Sequence, residues 1–323
     1  MGGREVKPDL SVRIGCLILA NPVGLASGTF GYGSEYESLV DVDAIGALYT
    51  KAVTIEARPG NRSPRIVETP SGMLNSIGLA NPGIDAFIAD KLPELRKRRC
   101  AVIVNVAGST EAEYLEVILR IEEAAARRES GGALASRGTG VDGYEINVSC
   151  PNVRHGGLAF GTDPIQIERL TRSLRGATER PLIVKLTPNV ADIGSIAAAA
   201  EAGGADAVSC INTLVGMVID VNKCRTSLAM GSGGLSGPAV RPVGVASCYK
   251  ASRAVKIPVI GLGGISCAQD ALQYLLAGAR AVQVGTGTFV DPSCATKVLA
   301  GIAAWMEERG VEHVQDIGGL LQA

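Results

Sequence analysis

Apolar residues gather along the chain in eight short runs rich in Val, Ile and Ala, at residues 23–27, 45–51, 101–106, 143–149, 182–186, 207–211, 258–262 and 281–285. Continuous rather than alternating apolarity is what a strand covered on both faces requires, as in a parallel sheet. Between the runs lie stretches with helical spacing, at 84–98, 110–128, 163–175, 190–202, 240–254, 266–277 and 292–309. Thr110 and Glu113 stand at capping-box spacing, and Asp163-Pro164 supplies an N-cap followed by a first-turn proline. Eight strands, each followed by a helix, predict a (β/α)8 TIM barrel, one domain over residues 1–323. An open doubly wound sheet is the competing architecture, but no G-x-G-x-x-G follows the first strand.

Residues 10–19 alternate around Gly15-Cys16 like a short β-hairpin, placed to plug the N-terminal end of the barrel. Two connections, 52–83 after the second strand and 214–239 after the sixth, are too long for plain linkers and are expected as long loops at the catalytic face. A glycine-bearing insertion at 131–140 precedes the fourth strand and receives no function.

Composition narrows the picture. With 323 residues, 46% of them hydrophobic, the chain can bury a large core, and a formal net charge of −1 leaves no basic surplus for nucleic acid. Residues 1–9 are polar, and no run approaches the roughly 18 uninterrupted apolar residues of a membrane span, so the expectation is a soluble cytoplasmic protein with no membrane association. Eight cysteines without a C-x-x-C pair, beside only two histidines, fit neither a metal cage nor a disulfide framework. Seven of them are expected to be small buried apolar residues.

A barrel of this kind places its chemistry at the C-terminal ends of the strands. Standing there are Ser27, Lys51, Asn105, Asn147 with Cys150 and Asn152, Lys185, Asn212-Thr213, Gly263-Gly264 and Gly285-Thr286. A lysine that ends an apolar strand needs an anionic partner, whether a protein carboxylate or a ligand. Glycines after the last two strands let backbone N–H groups approach an anion, so a phosphate-bearing ligand is expected. Cys150, in N-V-S-C-P-N, has only His155 as a nearby histidine, which favours a base working beside a flavin over a protease-like nucleophile.

At this point the residues resemble a known family. Y-T-K-A-V-T at 49–54, L-N-S-I-G-L-A-N-P-G at 74–83, N-V-S-C-P-N-V at 147–153, I-N-T at 211–213, G-G-L-S-G-P at 233–238 and G-L-G-G-I at 261–265 are similar to segments of the dihydroorotate dehydrogenases, and the resemblance runs over essentially the whole chain. Within the family a cysteine base marks the soluble class 1 enzymes. The membrane-associated class uses serine and carries an N-terminal extension that is absent here. Residues 150–153, followed by Gly156-Gly157 and F-G-T-D-P at 160–164, look like the type 1B catalytic subunit, although the 131–140 insertion departs from the usual spacing.

The resemblance implies that Cys150 removes the C5 proton of dihydroorotate while the C6 hydride goes to N5 of one FMN per chain. It implies that Lys51, Asn75, Ser76, Ile77, Gly78, Leu79, Asn147, Asn212 and Thr213 bind the pyrimidine and its carboxylate. FMN would be held by Ser27, Lys51, Ala52, Asn105, Asn147, Lys185, Ile211, Gly237, Gly263, Gly264, Gly285 and Thr286, with Lys185 at the N1/O2 edge and the glycines at the phosphate. Electrons would pass to NAD through a partner subunit carrying FAD and a 2Fe-2S cluster, in a heterotetramer of two catalytic and two electron-transfer subunits, with a homodimer of this chain. The segment 214–239, or the one holding Cys150, would act as a lid. A type 1A enzyme reducing fumarate, a flavin barrel acting on dihydropyrimidines and a silent scaffold barrel are the alternative readings.

Overall fold

The computed structural model describes residues 7–129, 139–149 and 160–322. Its centre is a closed barrel of eight parallel strands in chain order: β1 (Val23–Leu25), β2 (Ala47–Tyr49), β3 (Ala101–Val106), β4 (Gly143–Asn147), β5 (Leu182–Leu186), β6 (Ala207–Cys210), β7 (Val259–Leu262) and β8 (Ala281–Val284). Each strand pairs with the next, and β8 closes on β1 through Val282–Val23 and Gln283–Gly24. All eight expected strands form, ending within a few residues of the apolar runs. The strands are buried almost throughout, which is why their sequences are apolar without alternation.

Helices Glu111–Glu129, Pro164–Arg175, Ile193–Ala202, Arg241–Ala254, Ala268–Leu276 and Cys294–Arg309 cover the outside of the barrel. Asp163 caps its helix as expected, accepting from the Ile165 N–H at 2.9 Å with Pro164 in the first turn. The Thr110–Glu113 cap differs in one half: Glu113 N–H donates to Thr110 Oγ1 at 3.2 Å, but the Glu113 carboxylate accepts from Ser109 N–H at 2.6 Å, one residue further back than a capping box requires.

Three expectations need correction. No α-helix follows β1; glycines at 28, 31 and 33 break that stretch, and it passes through two 3-10 turns, Ser34–Tyr36 and Val42–Ala44. The helix expected at 84–98 is three pieces, Gly83–Ala86, a π-helical Phe87–Lys91 and Leu92–Leu95. Pro93 has no N–H for the carbonyl four residues back and its ring crowds that carbonyl, so the turn before it widens. Finally, the two long connections are not plain loops. Ile66–Thr69 and Gly72–Asn75 from the first join Leu214–Gly216 and Gly233–Ser236 from the second in a four-stranded antiparallel canopy, with Leu74 opposite Leu235.

The hairpin at the opposite end is as expected: Val12–Ile14 pairs with Leu17–Leu19 across Gly15-Cys16. Gly15 takes φ +57° and sits so close to the Asp206 side chain, just before β6, that a Cβ there would lie 2.8 Å from Oδ1. Val12, Ile14 and Leu19 are buried in the core.

Candidate active site at the barrel mouth

The backbone just past the strands is fixed by hydrogen bonds that continue the barrel. Thr50 N–H donates to Ile103 O, Lys51 N–H to Gly31 O, Val53 N–H to Asn105 O and Asn212 N–H to Leu186 O, all at 2.8–2.9 Å. Outside the ring, Tyr114 donates its hydroxyl to Asn147 O at 2.7 Å, tying the end of β4 to the helix that precedes it, Glu111–Glu129. Ser27, Lys51, Ala52, Asn105, Asn147, Lys185, Ile211, Asn212, Thr213, Gly263, Gly264, Gly285 and Thr286 therefore stand on one ring of strand ends.

Contacts tie several of these residues directly. Lys185 Nζ donates to Ser27 Oγ at 3.2 Å, joining β5 to β1 across the mouth. Asn212 Nδ2 donates to Asn147 Oδ1 at 3.2 Å. Thr286 Oγ1 lies 2.8 Å from Ser236 Oγ, linking the end of β8 to the canopy. Asn75, on a canopy strand, donates to Gly234 O at 3.4 Å. Ser76, Ile77, Gly78 and Leu79 follow it in a tight turn where Gly78 and Leu79 both have positive φ, +76° and +55°. That turn is clasped by Asn61, which donates from its N–H to Ile77 O and from Nδ2 to Ser76 O.

Gly264 has φ +70°, and a Cβ there would lie 2.7 Å from Gly237 O, so the turn after β7 admits glycine alone. The carbonyl of Gly263 accepts from the Tyr274 hydroxyl at 2.6 Å. The following helix is anchored by Asp270, whose carboxylate accepts from Ser266 N–H and Oγ and from Cys267 N–H, and pairs with Arg241. Burial alone would raise the Asp270 pKa; the Ser266 hydrogen bonds and the Arg241 guanidinium outweigh it and hold the carboxyl below its usual value.

The two lysines differ in their anions. Lys185, almost fully buried, has Glu145 Oε2 at 3.5 Å. Among the described residues no carboxylate lies within ion-pair distance of Lys51. Sequence reasoning missed Glu145, and with it Ser209 and Gln283, which donate to Glu145 Oε1 at 2.9 and 2.8 Å. The signal was present: a glutamate and a glutamine inside runs that are otherwise apolar had to find partners in the barrel interior. Cys150, expected as the base, and Asn152 lie outside the described residues. Of the seven described cysteines, Cys100, Cys210, Cys248 and Cys294 are buried as expected. Burial pushes the Cys100 and Cys248 thiols up to about 12. Cys16, Cys224 and Cys267 are exposed, contrary to expectation: the first stands at the hairpin turn, the second takes φ +48°, and the third caps the helix beginning at Ala268.

This ring of strand ends, with a buried lysine, a second lysine lacking an anion among the described residues and glycine turns after the last strands, defines a (β/α)8-barrel enzyme whose chemistry sits at the C-terminal mouth. The family model described as dihydroorotate dehydrogenase matches residues 9–306, and the chain belongs to that family. It is 49% identical over 317 residues to a protein of Pelobacter propionicus named dihydroorotate dehydrogenase B (NAD(+)), catalytic subunit, covering 98% of this chain and all of the relative. A Geobacter sulfurreducens protein of the same name is 49% identical over 319 residues, with 98% and 99% covered. The fold is shared with a crystal structure of dihydroorotate dehydrogenase from Eimeria tenella in complex with ferulenol, at a TM-score of 0.78 and 23% identity, over 99% of this chain and 90% of that one.

Proposed function

We propose that this chain is the FMN-carrying catalytic subunit of a type 1B dihydroorotate dehydrogenase, which oxidises dihydroorotate to orotate in de novo UMP synthesis in the cytoplasm. The observation that carries the reading is the contrast between the strand-end lysines. Lys185 has Glu145 within 3.5 Å, whereas Lys51, just past β2, has no carboxylate within ion-pair distance among the described residues.

The residues around the mouth suit FMN as a cofactor. Asn105 Oδ1 is buried without a partner, so an acceptor is free for a ligand N–H. Gly263, Gly264, Gly285 and Thr286 leave backbone exposed after β7 and β8, where a phosphate would sit, and Gly237 backs them. On this reading Ser27, Ala52, Asn147 and Ile211 would line the space between, beside the buried Lys185 ammonium that donates to Ser27 Oγ. FMN, when bound, supplies the acceptor for the hydride that leaves C6 of dihydroorotate.

The chain's own residues do the rest. Lys51 meets the substrate carboxylate with a charge-assisted hydrogen bond. Asn75, Asn147, Asn212 and Thr213 take up the polar edges of the pyrimidine, and the backbone from Ser76 to Leu79 closes over it. Cys150 removes the C5 proton. Electrons leave for NAD through a partner subunit bearing FAD and a 2Fe-2S cluster, in an assembly of two catalytic and two electron-transfer subunits built on a homodimer of this chain. The name "catalytic subunit" carried by full-length relatives supports the existence of a partner subunit. Among the described residues no helix is long and apolar enough to cross a membrane.

The test is anaerobic addition of dihydroorotate to the purified, FMN-loaded chain. Loss of the visible flavin absorption is expected. A flavin that stays oxidised with dihydroorotate but is reduced by another dihydropyrimidine would overturn the substrate, and a chain that takes up no FMN would overturn the cofactor.

A further inference from the structure

Glu145 lies in the middle of β4 with no exposed surface. Its Oε1 accepts from Ser209 Oγ on β6 at 2.9 Å and from Gln283 Nε2 on β8 at 2.8 Å. Its Oε2 accepts from Asn105 Nδ2 on β3 at 2.7 Å and lies 3.5 Å from Lys185 Nζ on β5. One carboxylate thus joins five of the eight strands through side chains, in an interior that barrels ordinarily fill with branched aliphatic residues.

Stability is a poor explanation for such a group. Taking a carboxylate and an ammonium out of water costs more than their attraction commonly returns, and apolar residues of equal volume are often as good or better. What the pair provides is placement. The Lys185 ammonium is held between the carboxylate and Ser27 Oγ, 3.2 Å away toward the mouth. An isolated lysine would instead have several rotamers to choose from.

We propose that Glu145 is a positioning residue that fixes Lys185 and offsets its charge, so that a ligand at the mouth meets the field of an ion pair rather than that of a bare ammonium. This rests on the reading of the mouth as an FMN site. A lone ammonium at the rim favours the flavin when it carries the extra electrons; a carboxylate behind the ammonium opposes that preference at slightly greater range. Glu145 therefore sets how strongly the site holds electrons, without touching substrate.

The test is the midpoint potential of the bound flavin in the FMN-loaded chain. Lys185→Met should lower it. Glu145→Gln should raise it, shifting the equilibrium at least tenfold towards the reduced form, about 30 mV for a two-electron couple. A Glu145→Gln variant that binds FMN at an unchanged or lower potential would overturn the proposal. Where that variant holds no flavin, Glu145→Asp decides: it keeps the charge but draws it back by one methylene, and its potential should rise by a smaller amount, an unmoved value overturning the proposal. A wild-type chain that stays colourless with FMN removes the cofactor reading, and this one with it.

Discussion

The two ends of the barrel handle polar groups in opposite ways. At the N-terminal end, the carboxylates are occupied by the protein itself: Asp206 Oδ2 accepts from Leu182 N–H at 2.8 Å and from Arg175 at 2.6 Å, while Glu122 accepts from Tyr144, Thr178 and Arg180. The hairpin then closes that end with Val12, Ile14 and Leu19. At the C-terminal mouth, Asn105 Oδ1 and Ser76 Oγ are buried without a partner among the described residues. A buried polar atom left open is costly, and these two stand where the proposed ligand would supply partners. One end of the molecule keeps its carboxylates bonded to the fold, and the other carries the strand-end residues of the candidate site.

That contrast can be broken most severely at the mouth. Cys150→Ala should slow flavin reduction by dihydroorotate about 10²–10⁴-fold while FMN stays bound, read by anaerobic stopped flow. Next in size, Leu19→Ala at the closed end should cost about 2–5 kcal/mol in a denaturation midpoint, with KM for dihydroorotate unchanged in the fraction that remains folded. A raised KM there would show that the two ends are coupled. Lys51→Met should weaken dihydroorotate binding by about 1.5–3 kcal/mol, the worth of a hydrogen bond to a charged group, without lowering the melting temperature. If the melting temperature falls instead, Lys51 has a protein anion after all.

The smallest effect should come from Asp270, which steadies the turn under the glycine cradle. Its folded pKa is depressed, so its contribution to stability is present above the unfolded value of about 3.9 and is lost as pH falls through the lower folded value. Asp270→Asn should therefore be less stable than wild type at neutral pH, and the gap between the two urea midpoints should narrow below about pH 4. An unchanged gap would move the stabilising contribution elsewhere.

The eight strands were legible because a strand buried on both faces leaves a continuous apolar run, and the Asp163-Pro164 helix start because a cap is a local device. What was illegible depends on distant partners. Leu74 faces Leu235 across the canopy, and nothing within either connection announces the other. The π-helical turn at Phe87–Lys91 is a local accommodation to Pro93 inside an otherwise helical pattern. The role of Glu145 depends on donors from four other strands, which nothing within its own strand announces. The strand-end residues of the mouth were found because barrel geometry says where to look, while the layer beneath them follows no such rule.

The canopy also bears on how the chain tolerates length change. Its central seam pairs residues 73–75 of one connection with 234–236 of the other, and Gly72 approaches Ser236 O so closely that a Cβ would lie 2.0 Å away. Surface connections usually absorb insertions independently of one another. Here a residue added within one seam strand would slip the register and turn every side chain beyond it to the opposite face, Asn75 included. The two segments, more than 130 positions apart in the chain, therefore behave as one unit of inheritance.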